Sequence, residues 1–190
     1  MTSKDQLRIN LKKIRQTFVK QDNIQNKFNL NAAVIDKLFT PGLTVAGYLK
    51  TGSEVSAETI MTTASRLDVG LALPFIGARG DAMQFRAWQP HAPLVKAPYG
   101  FLQPSAEAPE SAPDIILVPL VGFDRDMNRI GQGAGHYDRI FMLFPNALRI
   151  GLSWSCQECT TIPTDPWDVQ LDAVLTEKEW IKNAHSRIAD

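Results

Sequence analysis

The chain has 190 residues, a length typical of one globular domain over 1–190, and its 44% apolar and 21% charged residues exclude a disordered or fibrous class. Twenty basic side chains balance twenty acidic ones, and this zero net charge argues against non-specific nucleic-acid binding. No apolar stretch has the length of a membrane span, and the first residues lack the apolar core of a signal peptide, so we expect a cytoplasmic protein without a membrane or nucleic-acid partner.

The first predicted element is an N-terminal helix, in which Ser3 and Gln6 have the spacing of a capping box. Four apolar residues then recur at helical spacing and predict a buried stripe. They are Leu7, Leu11, Ile14 and Phe18. The neighbouring face carries a basic stripe of Lys4, Arg8, Lys12 and Arg15. On pattern alone, a solvated basic face is favoured for this stripe over contact with a phosphate chain.

Strands and helices alternate over the next part of the chain. A second helix is predicted over about 24–39, a buried strand over 43–49, and a helix that Ser56 caps and that runs to about Leu67. Two more strands are predicted over 69–76 and 83–88. This alternation predicts an α/β fold, a Rossmann-like three-layer α/β/α sandwich with a mostly parallel central sheet.

A proline-rich loop is predicted between residues 89 and 113. Loops of this length inside a compact domain are usually functional or mobile. The loop contains Tyr99 and Phe101, which either cover a flat ligand or anchor the loop to the core, and the pattern favours neither.

The C-terminal part is predicted to contain strands over 115–121, 147–154 and 171–175, a short helix over 137–144, and a terminal helix that Thr176 caps. Two cysteines, Cys156 and Cys159, have the C-x-x-C spacing of a redox pair or of half a metal site. They follow a strand-like segment, and no histidine supplies the other ligands, so two ordinary reduced cysteines are favoured.

A glycine loop follows the buried strand 115–121 and an acidic turn. Gly131, Gly133 and Gly135 alternate in it, directly before His-Tyr-Asp at 136–138. Glycine lets backbone amides approach an anion, and α/β proteins bind phosphates where a parallel strand leads into a helix. The G-x-G-x-G spacing matches neither the dinucleotide fingerprint nor a Walker A loop. On pattern, an anion site in which amides and Arg129 hold phosphate oxygens and Asp138 can carry Mg²⁺ is favoured over a tight strand–helix connection with Asp138 and Arg139 exposed.

The segment 119–139, PLVGFDRDMNRIGQGAGHYDR, resembles the signature of the 5-formyltetrahydrofolate cyclo-ligases, also called 5,10-methenyltetrahydrofolate synthetases. The resemblance covers nearly the whole chain. Further matching segments are KDQLR (4–8), YL (48–49), SEV (53–55), LP (73–74), MQF (83–85), YGFLQP (99–104), GLSW (151–154) and LTE (175–177). The resemblance implies an enzyme that uses ATP and Mg²⁺ to convert 5-formyltetrahydrofolate to 5,10-methenyltetrahydrofolate, with release of ADP and phosphate. It implies phosphorylation of the formyl oxygen, followed by attack of N10 within the same molecule.

The same resemblance assigns residues to the site. The ATP-binding set is Lys4, Arg8, Arg129, Ile130, Gly131, Gln132, Gly133, Ala134, Gly135, His136 and Tyr137. The catalytic set within it is Arg129, Gln132, His136 and Tyr137. The substrate-binding set is Leu49, Glu54, Tyr99, Gly133, Gly135, His136 and Tyr137, and the metal ligands are Asp138 and Asp168. Lys4 and Arg8 are thereby assigned to phosphates rather than to a solvated face.

Four positions depart from the family pattern. Gln132 stands where Arg or Tyr is frequent, Ala134 where Gly or Lys is common, His136 where Tyr is frequent, and Trp167 where His often precedes the metal-site Asp. For His136, packing in place of Tyr is favoured over titration. Two alternatives stay open: a catalytically impaired folate-binding or regulatory relative, and an ATP-dependent enzyme acting on another heterocycle. The expected partner is a small-molecule substrate, and the expected assembly is a monomer or weak homodimer.

Overall fold

A mostly parallel sheet forms the centre of the computed structural model, which describes residues 3–21, 34 and 38–188. The strands in chain order are β1 (Thr44–Ala46), β2 (Gly70–Phe75), β3 (Gln84–Ala87), β4 (Val95–Lys96), β5 (Leu102–Gln103), β6 (Ile115–Pro119), β7 (Gly122–Phe123), β8 (Arg129–Ile130), β9 (Leu148–Leu152), β10 (Ala173–Leu175) and β11 (Trp180–Ile181). The main sheet has the order β11-β10-β9-β6-β1-β2-β3. Its edge strands β3 and β11 run antiparallel to their neighbours, and the inner pairings are parallel.

Helices cover both faces of this sheet. They are α1 (Lys4–Gln21), α2 (Glu58–Arg66) and α3 (His136–Leu143), with a 3₁₀ turn over Ser155–Gln157. Successive strand residues point to opposite faces: Val45 packs in the core cluster with Ile60 of α2, whereas Ala46 packs in the cluster with Phe141 of α3. The predicted three-layer α/β/α architecture is confirmed. None of the helices in the described ranges is long and apolar enough to cross a membrane.

Most predicted elements occur within a few residues of their expected positions. The Ser3 hydroxyl accepts from the Gln6 amide at 3.2 Å, but the Gln6 side chain donates to Asn10, so half of the capping box forms. Ser56, the predicted cap, lies two residues before α2, whose N-cap position is Ala57, and its hydroxyl accepts from the Glu58 amide. The predicted helix over 24–39 falls mostly outside the described residues.

The apolar stripe predicted on α1 is wrong at one position. Ile14 is 47% exposed, and Arg15 is buried in its place with 6% exposure. Arg15 Nε donates to the Ser53 hydroxyl at 3.0 Å, and Nη1 donates to the Leu120 carbonyl at 3.1 Å. These bonds satisfy the buried guanidinium. The spacing of apolar residues could not reveal that an arginine is buried here, because it counts only apolar residues.

The terminal helix predicted after Thr176 is also wrong within the described residues. The Thr176 hydroxyl accepts from the backbone amides of Lys178 and Glu179, and the Thr176 amide donates to the Glu179 carbonyl. A hydroxyl makes the same bonds in a tight turn as at a helix start. Here the turn returns the chain so that β11 pairs with β10.

The predicted loop over 89–113 contains a small hairpin of β4 and β5. Gln103 is buried, and its side-chain amide both accepts from the Ile76 amide and donates to the Ile76 carbonyl, at 3.0 and 3.1 Å. Phe101 packs against the core cluster on the α3 face. The two bonds to Ile76 hold the loop beside the end of β2, close to the site described next.

Candidate active site

A cleft of about 1070 Å³ opens at the carboxyl ends of the parallel strands. Leu49, Ile76 and Pro119, which lie at or after the ends of β1, β2 and β6, line it. Every residue predicted for the site also lines this cleft. Strands in a parallel sheet end at one edge, so segments far apart in sequence meet there.

The glycine loop forms one side of the cleft and leads into α3. Gly133 and Gly135 have φ values of +103° and +64°, a left-handed conformation that strains any residue with a Cβ. Ala134 has no positive φ, so its departure from the family pattern introduces no backbone strain. Arg8 Nε donates to the Gly131 carbonyl at 3.0 Å, and the Arg8 guanidinium lies beside Gly133. Arg8 thus holds the loop against α1.

We define the charged wall as Lys4, Arg8, Arg129, Asp138, Asp165 and Asp168. Lys4 Nζ donates to Oδ2 of Asp165 at 2.6 Å and to Oδ2 of Asp168 at 2.5 Å. Burial opposes the charge of Lys4, but the two carboxylates raise its pKa above the ordinary value. Burial likewise disfavours the charge of Asp168, yet hydrogen bonds from Lys4 and from the Asp165 amide lower its pKa. Lys4 and Asp168 therefore stabilise each other as charged groups.

The other half of the charged wall is an ion pair between Arg129 and Asp138. The Arg129 side chain is only 6% exposed, and Nη2 donates to Asp138 Oδ1 at 2.5 Å. Nη1 donates to the Val169 carbonyl, and the guanidinium carbon lies 4.7 Å from the Phe141 ring centre. These contacts fix the guanidinium, so Arg129 holds the Asp138 carboxylate in one orientation.

Each of the two predicted metal ligands keeps one oxygen available. Within the described residues, the hydrogen bonds to Asp138 use Oδ1 and those to Asp168 use Oδ2, which leaves Asp138 Oδ2 and Asp168 Oδ1 unbonded. In the same part of the chain, no three His, Cys, Asp or Glu side chains converge on one point. The donor set fits Mg²⁺, which takes one or two carboxylates and completes its shell with phosphate oxygens and water.

We define the Glu54 wall as the turn 51–54 with Leu49, Tyr48 and Tyr99. The Glu54 side chain is 8% exposed. Its Oε2 accepts from the Thr51 amide and its Oε1 from Gln132 Nε2, both at 2.9 Å, and Arg15 Nη1 lies 4.0 Å from Oε1. Gln132 therefore connects the glycine loop to the Glu54 carboxylate with a neutral donor.

Two aromatic rings meet at the mouth of the cleft. Tyr99 is 48% exposed, and its ring lies edge-on to His136 with ring centres 6.4 Å apart. His136 Nδ1 accepts from Arg139 Nη2 at 3.2 Å. Burial, and secondly the charge of Arg139, lower the pKa of His136 below 6.5, so the imidazole is neutral near pH 7. The predicted packing role of His136 agrees with this environment.

Tyr137 follows His136 on α3 and lines the same cleft. Burial raises the pKa of its phenol, and the nearby Glu54 carboxylate raises it further against the opposing effect of Arg129. The phenol therefore stays protonated at neutral pH and can act as a hydrogen-bond donor.

Several residues of the cleft were missed by sequence reasoning. Asp165 shares Lys4 with Asp168, and its D-x-x-D spacing with Asp168 is a signal that could have found it. Met142 lines the cleft and is largely exposed, but a single apolar residue in a short helix carries no site signal. Trp167, noted in the sequence only as a departure before Asp168, also lines the cleft and is largely exposed.

The cysteines lie outside this cleft. Both are half-buried free thiols. Burial, and secondly the Glu177 carboxylate, raise the pKa of Cys156 to about 11. Burial also raises the pKa of Cys159. A raised pKa keeps a thiol protonated and poorly reactive, as expected for two ordinary reduced cysteines.

Comparisons with known proteins identify relatives over most of the chain. A family model described as the 5-formyltetrahydrofolate cyclo-ligase family matches residues 1–177. A 5-formyltetrahydrofolate cyclo-ligase of Haemophilus influenzae is 27% identical over 89% of this chain and 91% of its own length. The protein of the same name from Mycolicibacterium smegmatis is 34% identical over 74% of this chain and 76% of its own length. The solved structure of an Aquifex aeolicus 5,10-methenyltetrahydrofolate synthetase, 26% identical, superposes with a TM-score of 0.77 over 98% of this chain and 96% of that protein.

Proposed function

This chain belongs to the 5-formyltetrahydrofolate cyclo-ligase family, and we propose that it converts 5-formyltetrahydrofolate to 5,10-methenyltetrahydrofolate with consumption of ATP and dependence on Mg²⁺. One observation carries the proposal. The charged wall and the Glu54 wall border a single cleft, and the glycine loop contacts both, because Gly131 accepts from Arg8 and Gln132 donates to Glu54. A phosphate chain and a heterocycle bound to these walls would therefore lie in the same cleft.

The reaction needs an activated formyl oxygen. The oxygen of a formamide is a poor leaving group, so the γ-phosphoryl group of ATP is transferred to it and ADP is released. The N5 lone pair moves into the C–N bond and makes the formyl carbon electrophilic. N10 of the same molecule attacks that carbon and loses its proton, and phosphate then departs with the former formyl oxygen. The attack is intramolecular, which gives it a high effective concentration.

The charged wall supplies the groups for phosphoryl transfer. Lys4 and Arg8 are cations beside the cleft that can bind phosphate oxygens, and the loop around Gly133 and Gly135 allows close approach of backbone amides. Arg129 orients Asp138 rather than reaching freely into the cleft. Asp138 and Asp168 would hold Mg²⁺, which would supply charge neutralisation for phosphoryl transfer.

The Glu54 wall supplies the groups for the pterin end. The Glu54 carboxylate can accept from the ring N–H and amino groups of the heterocycle, while Leu49 and Tyr99 offer apolar surface for its flat ring. Neutral His136 and protonated Tyr137 lie between the two walls on the first turn of α3. The Tyr137 phenol can donate to charge that develops on the transferred phosphoryl group or on the formyl oxygen.

We extend the proposal to the setting of the protein. The protein is proposed to be a cytoplasmic enzyme of one domain, a monomer or weak homodimer with no nucleic-acid or membrane partner. The zero net charge of the chain supports the part of this proposal that concerns nucleic acid.

The test is an assay of purified protein with 5-formyltetrahydrofolate, ATP and Mg²⁺. We expect methenyltetrahydrofolate absorbance to rise with formation of one ADP for each product, and to stop when EDTA is added. Folded protein that binds 5-formyltetrahydrofolate without turnover would be an impaired relative. Turnover with a different heterocycle, and none with this folate, would assign another substrate.

A further inference from the structure

We propose that Arg15 is a positioning residue for substrate recognition, which holds the turn 51–54 so that Glu54 presents its carboxylate to the heterocycle. The proposal rests on the proposed function, because Glu54 is assigned there to the pterin end. Arg15 does not line the cleft, so its effect on the substrate passes through Glu54.

The guanidinium of Arg15 makes two hydrogen bonds and one longer ionic contact from a buried position on α1. Nε donates to the Ser53 hydroxyl at 3.0 Å, next to Glu54 in the turn. Nη1 donates to the Leu120 carbonyl at 3.1 Å, just after the end of β6. The same Nη1 lies 4.0 Å from Glu54 Oε1. Arg15 thereby connects the substrate turn to the sheet, which is the rigid part of the fold.

The turn is held at a second point that complements Arg15. Trp154 Nε1 donates to the Ser53 carbonyl at 2.9 Å, so Ser53 is bonded through both its backbone and its side chain. Gln157 Nε2 donates to the same Leu120 carbonyl as Arg15, at 3.0 Å. The backbone on either side of the Arg15 guanidinium keeps these bonds when Arg15 is changed, so such a change removes the support of the Ser53 and Glu54 side chains and leaves the surrounding core in place.

The burial of Glu54 requires a compensating cation. Its side chain is 8% exposed, and its two hydrogen-bond donors, the Thr51 amide and Gln132, are neutral. Arg15 is the ion-pair partner of Glu54 among the described residues, with Nη1 4.0 Å from Oε1. Removing the cation beside a buried carboxylate leaves an uncompensated charge and is destabilising. The carboxylate oxygens of Glu54 act as acceptors toward the substrate's donors.

An arginine fits this position better than a lysine would. The ammonium group of lysine is a single point charge, whereas the guanidinium donates along separate directions to Ser53 and Leu120 while facing Glu54. A lysine at position 15 can keep the charge near Glu54 but loses one of the two anchoring bonds. The effect of Arg15→Lys is thus expected in substrate affinity more than in folding.

The experiment compares Arg15→Lys, Arg15→Met, Glu54→Gln and the double variant Arg15→Met/Glu54→Gln with the wild type. Steady-state kinetics give KM for 5-formyltetrahydrofolate and for ATP separately, calorimetry without ATP gives the folate dissociation constant, and thermal unfolding gives stability. We expect Arg15→Lys to weaken folate binding about tenfold and to leave KM for ATP within about twofold. We expect the double variant to bind folate no worse than Glu54→Gln alone, because both changes remove the same interaction.

Two outcomes would overturn the inference. The first is an unchanged folate dissociation constant in Arg15→Lys. The second is a double variant whose fold-loss of folate affinity equals the product of the fold-losses measured for Arg15→Met and for Glu54→Gln. If Arg15→Met alone does not fold, Arg15→Lys decides the question by itself. Lys12→Gln, one turn earlier on α1, is the matched control and should keep wild-type constants. A wild-type protein that neither binds nor turns over 5-formyltetrahydrofolate would refute the proposed function instead, which is a different result from an insensitive Arg15 variant.

Discussion

The two walls of the cleft hold their charges in different ways. Lys4, Asp165 and Asp168 of the charged wall are partly exposed, and their ion pairs leave carboxylate oxygens free. Glu54 is nearly buried, and both of its oxygens accept hydrogen bonds. Exposed ion pairs contribute little to stability and exchange partners easily, whereas breaking a buried pair is expensive. The charged wall is suited to a ligand that arrives with its own charges, and the Glu54 wall to recognition of a fixed hydrogen-bond pattern.

The largest effect is expected on the charged wall from Asp138→Asn. The change removes a proposed carboxylate ligand of Mg²⁺, while the amide oxygen of Asn can still accept from Arg129, so we expect kcat to fall at least about 100-fold with a small loss of stability. Steady-state assays with thermal unfolding measure both quantities. Asp126→Asn is the matched control, because Asp126 is exposed in the same signature segment and does not line the cleft. Near-wild-type turnover in Asp138→Asn would contradict the metal role.

The Glu54 wall is tested next by Glu54→Gln, paired with Lys4→Gln on the opposite wall. Loss of the charged acceptor should raise KM for 5-formyltetrahydrofolate about 10- to 100-fold and leave KM for ATP within about twofold. Lys4→Gln should do the reverse and raise KM for ATP about tenfold. Separate titration of the two substrates measures each constant. If each variant raised both constants equally, the division of the cleft into two walls would be wrong.

A smaller effect is expected on stability from the loop that joins the walls. Gly135 has φ +64°, and an added Cβ would lie 3.2 Å from Arg139 Nη1, so Gly135→Ala should lower the free energy of unfolding by about 1–2 kcal/mol. Gly131 has no positive φ, and its Cβ would meet nothing within 4 Å. Gly131→Ala should therefore change stability by less than about 0.5 kcal/mol. Denaturant unfolding measures both, and equal losses would show that conformation at Gly135 is not the cause.

The smallest effect concerns the pH dependence contributed by His136. Its pKa is lowered in the folded protein by burial and by Arg139, so as pH falls below 6.5 the unfolded chain takes up the proton first. His136 therefore makes its full contribution to stability at pH values above the pKa that it has in the unfolded chain. This contribution is lost as the pH falls from the unfolded pKa through the lower pKa of the folded protein. Between about pH 8 and about pH 5, His136→Phe should lose less stability than the wild type. If chemical unfolding gave the same pH profile of the unfolding free energy for His136→Phe and for the wild type, His136 would not contribute to the pH dependence.

The sheet could be predicted because its inner strands are buried on both faces. Runs such as residues 115–119 are almost wholly apolar, and their alternation with helices predicts parallel pairing. The element that follows β10 near the C-terminal end of the chain was harder to predict. Thr176 has a hydroxyl suited to a helix cap or a tight turn, and pairing of β11 with β10 decided between them. Local chemistry was ambiguous there, and a tertiary contact resolved it.

The site could be predicted as a set of residues but not as a set of contacts. All the residues assigned to it by resemblance line the cleft. Their partners were not foreseen: Lys4 with Asp165, Arg129 with Asp138, and Gln132 with Glu54. The first and last of these pairs join residues separated by 161 and 78 positions. Sequence spacing contains no information on such distances unless the order of the strands is known.

The sequence by itself determined the family, the layered fold and the glycine loop, because these depend on local conformation and on a continuous signature between residues 119 and 139. Only the tertiary structure decided which charges are free and which are structural. Arg8 and Arg15 look equivalent on the basic stripe of α1, yet Arg8 lies at the cleft and Arg15 lies buried behind Glu54. The physical reason is that the environment of a side chain depends on what packs against the helix, and the sheet and its loops bring that surface from distant parts of the chain.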